Sequence, residues 1–140
     1  MVDRLQRQTA ASAAVLLVIA FGTGVLLGAA MTGKVNADPH EVVAAHLNAV
    51  LGCLWIAALA FTLPMLAFGE VGKRRLVYAT VLSAYANWLI TTVKAFLWVA
   101  GIEPGKSHSN DMVFMALTVF VVIPSFFAAI AWAYALIKRA

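Results

Sequence analysis

The chain has 140 residues and a formal net charge of +4; 64% of it is apolar and only 11% is charged. That is too little charge to cover the surface of a soluble domain, and the basic residues are not interleaved with aromatics as a nucleic-acid surface requires. Cys53, the one cysteine, lies in an apolar run and has no partner for an internal disulfide.

Four apolar runs follow one another: Thr9–Met31, Val42–Phe68, Leu76–Ile102 and Met112–Ile137. Each exceeds the ~20 residues a helix needs to cross the hydrocarbon core, and none alternates as a strand would. The expectation is an all-α, integral membrane four-helix bundle in a single domain, with helices over about 9–31, 41–68, 76–102 and 112–138. The first run has some marks of a signal peptide, with basic residues before it and Gly28, Ala29 and Ala30 near its end. It is longer than a usual signal core, so a retained membrane helix is the better reading. Along it, Ala20, Gly24 and Gly28 recur every fourth residue, a small-residue seam suited to close helix contact.

The loop Thr32–His40 holds the turn formers Gly33, Asn36 and Pro39. Asp38 reads as the N-cap of the second helix, with Pro39 at its first position and Glu41 three residues on. Gly69 and Gly72 mark the next turn, and Pro104 and Gly105 the one after, where Asn110 or Asp111 is expected to cap the fourth helix. Pro64 and Pro124 fall inside runs and are expected to kink the second and fourth helices.

Basic residues set the orientation. Arg4, Arg7, Lys73, Arg74, Arg75, Lys138 and Arg139 fall on one side, and only Lys34 and Lys106 on the loops of the other. The positive-inside rule then places both termini in the cytoplasm, as in a multi-pass protein of a bacterial inner membrane.

Two helices carry residues with chemistry. His46 lies about one and a half turns into the second helix, where an unpaired, dry imidazole is costly. A hydrogen bond to a neighbouring helix would satisfy it; ligation or catalysis are the alternatives. No acidic residue joins the histidines at metal-ligand spacing, so a metal on His46 would have one protein ligand, which points to haem. His40 and His108 read as surface residues. On the third helix Ser83, Asn87, Thr91 and Lys94 fall within an arc of about 80° and form one polar stripe. Interhelical hydrogen bonding explains the first three; a lysine in line with them favours a functional cavity. Asn48 lies about 200° around the helix from His46, so the two do not face one site in the same subunit. Trp55, Trp88, Trp98 and Trp132 read as packing residues or interfacial anchors. No acid lies within the body of a helix, which argues against a proton-coupled exporter, and no nucleotide-binding glycine loop is present.

From Ala45 to Thr92 the sequence resembles the small membrane isomerases that include hydroxylaminobenzene mutase and styrene oxide isomerase. The resemblance rests on Ala45-His46-Leu47-Asn48, Phe61-Thr62-Leu63-Pro64 and Tyr85-Ala86-Asn87-Trp88. It implies a homotrimer holding haem b through His46, with ferric iron as a Lewis acid and with Asn87 beside it. Ser83 and Thr91 stand where the epoxide isomerase has an aspartate and a tyrosine, and Gly52 where it has an asparagine. The Tyr85–Trp88 motif is more similar to the mutase branch, which typically has an acid where this chain has Asn48.

The expected function is therefore a membrane-bound intramolecular isomerase of aromatic compound degradation, most similar to hydroxylaminobenzene mutase. Its expected catalytic residues are Asn87, Thr91 and Ser83, and its haem ligand is His46. The expected partners are a small aromatic substrate, the lipid bilayer and further copies of the chain, and no nucleic acid. The alternatives are an epoxide-to-aldehyde isomerase, or a non-catalytic haem or quinone subunit for electron transfer.

Overall fold

In hydrocarbon a backbone has no water to bond, so long apolar runs close their hydrogen bonds within themselves as helices. The computed structural model describes residues 3–138. Helix α1 covers Arg4–Met31, α2 Pro39–Thr62, α3 Glu70–Leu97 and α4 His108–Ile137. All four are long and apolar enough to cross a membrane, and no strand occurs among the described residues. The all-helical, four-helix architecture expected from the sequence is the one the chain adopts.

The helix ends depart from the apolar runs. Helices α1 and α3 begin several residues early, at Arg4 and Glu70, because the polar residues ahead of each run continue the same hydrogen-bond ladder. Helix α3 stops at Leu97 rather than Ile102. There Trp98 turns left-handed at φ 54°, and the Val99 amide closes back on the Lys94 carbonyl at 3.3 Å. Asp38 does cap α2, its side chain accepting from the His40 amide at 3.0 Å with Pro39 next in line. The cap of α4 is Ser107, whose hydroxyl accepts from the Asn110 amide at 3.2 Å. The two residues expected in that role serve the preceding loop. Asn110 Oδ1 accepts from Gly101 N and Asp111 Oδ1 from Gly105 N, both at 2.8 Å.

The two prolines act differently from simple kinks. Pro64 ends α2 in a short 3-10 turn, Leu63–Met65. Pro124 follows a π-helical segment of α4, Thr118–Val122, so the missing donor falls where the ladder already changes register.

Helix α2 is central, packed on α1 along one face and on α3 along another. Small residues bring the three together: Ala13, Ala20, Ala49 and Ala84 are buried around Leu16 and Ile56. Gly52 is the tightest point. A Cβ there would meet Leu16 Cδ2 at 3.0 Å and Ala84 Cβ at 3.1 Å, so glycine is what lets α1 and α3 converge on α2. Large apolar side chains such as Phe21, Val25, Phe61, Phe126 and Phe127 point outward, as lipid-facing residues do.

Polar contacts fasten both ends. At the end holding the chain termini, Gln6 Nε2 donates to the Ala60 carbonyl at 3.0 Å and Trp132 Nε1 to Thr62 Oγ1 at 2.9 Å. At the other end the Asp38 amide donates to the Ala95 carbonyl at 3.0 Å. Beside it Lys94 Nζ lies 2.7 Å from Glu41 Oε2, with each side chain 13% exposed, and also donates to the Ala100 carbonyl at 3.0 Å. Glu41 thus clasps α3 rather than completing a capping box. Removing one partner strands the other charge in a site of low dielectric. Glu41→Gln or Lys94→Met should each cost about 3 kcal/mol, and the double variant Glu41→Leu/Lys94→Met should lose clearly less than the two losses added. Thermal unfolding in detergent, followed by circular dichroism, checks both.

A polar cavity between helices two, three and four

The stripe on α3 faces α2. Asn48 on α2 meets it: Asn48 Nδ2 donates to Asn87 Oδ1 at 3.1 Å and to Thr91 Oγ1 at 3.0 Å. Thr91 Oγ1 in turn donates to Asn87 Oδ1 at 3.5 Å. Ser83, buried one turn away, gives its hydrogen to the Thr80 carbonyl at 3.0 Å and keeps its lone pairs. Lys94 is drawn off to Glu41 and does not join them.

Beside this cluster lies a cavity of about 260 Å³. Asn48, Gly52 and Trp55 of α2, Ser83 and Asn87 of α3, and Ser125 of α4 line it. Thr91 is not in the lining; it is buried behind Asn87 and holds it. A side-chain amide has two donor hydrogens and one acceptor oxygen. Asn48 spends both hydrogens and Asn87 its oxygen, so Asn48 Oδ1 and Asn87 Nδ2 remain without partners among the described residues. The Ser125 hydroxyl has no hydrogen bond within the described chain either. The pocket therefore offers an amide donor, acceptors and a hydroxyl beside the Trp55 indole, in an otherwise apolar bundle.

His46 is elsewhere. Its Nδ1 lies 2.8 Å from the Ala20 carbonyl, and a Cβ on Gly24 would meet the ring at 3.4 Å. The half-buried imidazole thus packs on α1, and it does not line the cavity. An expectation that His46 and Asn87 flank one site between α2 and α3 does not hold within a single chain; the opposed placement of His46 and Asn48 does. Because a carbonyl only accepts, Nδ1 carries a hydrogen, and Nε2 has no partner among the described residues. The small-residue seam of α1 is shared out accordingly. Ala20 and Gly24 make room for the imidazole, while Gly28 is exposed with nothing near its missing side chain. His40 and His108 are exposed in the first turns of their helices.

The tryptophans divide as well. Trp88 Nε1 donates to Thr23 Oγ1 at 2.9 Å and Trp132 to Thr62, both packing roles, whereas Trp98 is 56% exposed at a helix end. Trp55 borders the cavity, a role its sequence context did not suggest. Ser125 was also not singled out by sequence. The available signal was a hydroxyl placed directly after a proline in an apolar helix, where back-bonding to the preceding turn is disturbed.

The family model for styrene oxide isomerase matches residues 5–137. Over 86 residues, 61% of this chain, the sequence is 31% identical to hydroxylaminobenzene mutase HabB of Ectopseudomonas oleovorans. That stretch covers 48% of the mutase, so the chain spans about half the length of the curated relative it matches. No solved structure matches the chain. With the family model aligned to nearly every residue that forms the four helices, the chain belongs to the styrene oxide isomerase family.

Proposed function

We propose that the chain is a membrane isomerase of small aromatic compounds that converts an aryl hydroxylamine into an aminophenol. The observation that carries this reading is the polar cavity, lined by Asn87, Ser83 and Ser125 together with Trp55 inside an apolar bundle. Membership of a family named for an isomerase and the likeness to a mutase support it. The reaction is redox-neutral: the N–O bond breaks, a C–O bond forms on the ring, and a ring proton ends on nitrogen. No protein nucleophile is required. Asn87 donates to the migrating oxygen, Ser83 accepts from the substrate through its spare lone pairs, and Trp55 seats the ring. Gly52 leaves the pocket its width, and the surrounding lipid keeps water from a cationic intermediate. A second reading, epoxide-to-aldehyde isomerisation, is favoured by the name of the family model.

The family resemblance implies haem b, and the donor set at His46 suits it. A histidine that donates its Nδ1 hydrogen to a carbonyl is held in one ring orientation, the arrangement of a metal-ligating imidazole. Haem bound there supplies a Lewis acid for oxygen. Since His46 and the cavity lie on different faces of α2, we assign the working unit to a homotrimer in which one copy's His46 serves the cavity of the next. The described basic residues at the terminal end are Arg4, Arg7, Lys73, Arg74, Arg75 and Lys138. Arg139 lies outside the described residues. We assign that end to the cytoplasm and the chain to a bacterial inner membrane.

His46→Ala should abolish the Soret band of purified protein while leaving it monodisperse; unchanged haem content removes the assignment. Native mass spectrometry from mild detergent should give a trimer, and monomer alone counts against the shared site. Asn87→Ala should lower turnover by about 10²-fold at unchanged haem content. The assay supplies phenylhydroxylamine and, separately, styrene oxide, and follows 2-aminophenol and phenylacetaldehyde. If wild-type protein with bound haem rearranges neither, nor ring-substituted analogues, the isomerase reading fails and an electron-transfer subunit replaces it. Turnover of the epoxide alone selects the second reading.

A further inference from the structure

Away from the site described above, a second polar cavity of about 360 Å³ opens between the first turns of α1 and α3, at the end holding the chain termini. Asp3, Arg4 and Gln8 line it from the start of α1, and Glu70, Arg74 and Tyr78 from α3. Two carboxylates and two guanidiniums therefore share one opening, and none of the four makes an ion pair among the described residues. Glu70 and Arg74 are four residues apart, the spacing at which opposite charges on a helix ordinarily pair, and still they stand open. Neither Asp3 nor Gly69 caps the amides of the first turn with its side chain, so the positive ends of both helices add to the arginines.

Along α3 the exposed residues change character in a fixed order. Glu70 is followed at every fourth position by Arg74, Tyr78 and Leu82, each about 6 Å further into the helix. Tyr78 is 68% exposed and Leu82 52%. The start of α1 repeats the order, with Asp3 and Arg4, then Gln8, then the exposed Val15. Acid, guanidinium, phenol and alkyl are the partners, taken from the surface inwards, of a phospholipid that ends in a primary ammonium. Its ammonium lies outermost, followed by the phosphodiester, the glycerol esters and the acyl chains.

We propose that this cavity is a binding site for the headgroup of phosphatidylethanolamine. Arg4 and Arg74 hold the phosphodiester, Asp3 and Glu70 accept hydrogen bonds from the ammonium, and Tyr78 stands at the ester level, where aromatic residues anchor in membranes. Phosphatidylglycerol satisfies the arginines and leaves both carboxylates unpaired. Phosphatidylcholine carries the same charges and has no N–H to donate. The surrounding Arg7, Lys73 and Arg75 attract anionic lipids of any kind, so a preference for the zwitterionic lipid isolates the contribution of the cavity. The site is independent of the isomerase reading.

The test is native mass spectrometry of the delipidated full chain in mild detergent, with the three lipids added separately at matched acyl chains. Phosphatidylethanolamine should saturate at one per chain and bind about tenfold tighter than either of the others. Arg4→Gln/Arg74→Gln should weaken phosphatidylethanolamine and phosphatidylglycerol alike. Asp3→Asn/Glu70→Gln should weaken only phosphatidylethanolamine and erase the preference. All four residues are exposed, and unchanged circular dichroism checks that the variants are folded. Should a variant fail to fold, the N-methylated lipids decide on wild-type protein, since each methyl removes one N–H donor. Affinity should then fall stepwise towards phosphatidylcholine, and a flat series overturns the proposal. Glycerophosphoethanolamine, the same headgroup without acyl chains, should not displace the lipid at equal concentration; displacement makes this a site for a soluble molecule and overturns the lipid assignment. Equal affinity for the three lipids, a preference for phosphatidylglycerol, or folded variants that bind as the wild type does each overturn it as well.

Discussion

Hydrocarbon offers no hydrogen bonds, and that constraint sorts the polar side chains of this bundle into those that are settled and those that are open. Most are settled locally. Thr9, Thr23, Thr62, Thr92 and Thr118 each return their hydroxyl to a carbonyl one turn back. Tyr85 donates to the Ser12 carbonyl at 2.8 Å, tying α3 to α1. Thr80 is an exception: its Oγ1 is buried without a partner among the described residues, and nothing in the structure explains it. Among the described residues the open groups include Nε2 of His46 on the α1 side, and Asn87 Nδ2, Asn48 Oδ1 and the Ser125 hydroxyl at the cavity. In lipid an unspent hydrogen bond costs about 1–2 kcal/mol, so a group left open is one for which a bound molecule is the natural partner.

The number and type of helices were legible because a run of more than ~20 apolar residues has few structural solutions. Their ends were not. Hydropathy marks where a helix leaves hydrocarbon, whereas the ladder at Arg4 and Glu70 continues into polar residues that favour helix as well. Asp38 was readable as a cap because Pro39 follows it. In Ser107-His108-Ser109-Asn110-Asp111 four residues are capable of capping, and only the fold shows that Asn110 and Asp111 are engaged by Gly101 and Gly105.

The site divides the same way. An angular argument along one helix needs only its period, so the stripe of Ser83, Asn87 and Thr91 and the opposed facing of His46 and Asn48 were both visible. Which neighbour occupies each face is a tertiary fact. That the His46 ring meets the Ala20 carbonyl, and that Asn48 closes on Asn87 and Thr91, had no signature in either helix alone. Thr91 shows the limit of period alone. It shares the stripe but sits behind Asn87, because the lining also depends on how far α3 stands from α4.

The walls of the cavity are not equally firm. Helix α2 has 39% of its most apolar window buried within the chain and is wedged between α1 and α3 at Gly52. Helix α4 has 11% buried, and its ladder changes register at Thr118–Val122 just before Pro124 and Ser125. Segments with few buried contacts open at the least cost. Within one chain, then, Asn87 is held on the rigid side by α2 and α3, and Ser125 is carried on the side that yields. An apolar aromatic dissolved in the bilayer meets α4 from the lipid without crossing water. On the reading proposed above, a small aromatic substrate enters past the loosely packed α4 and meets Asn87 on the firmer wall.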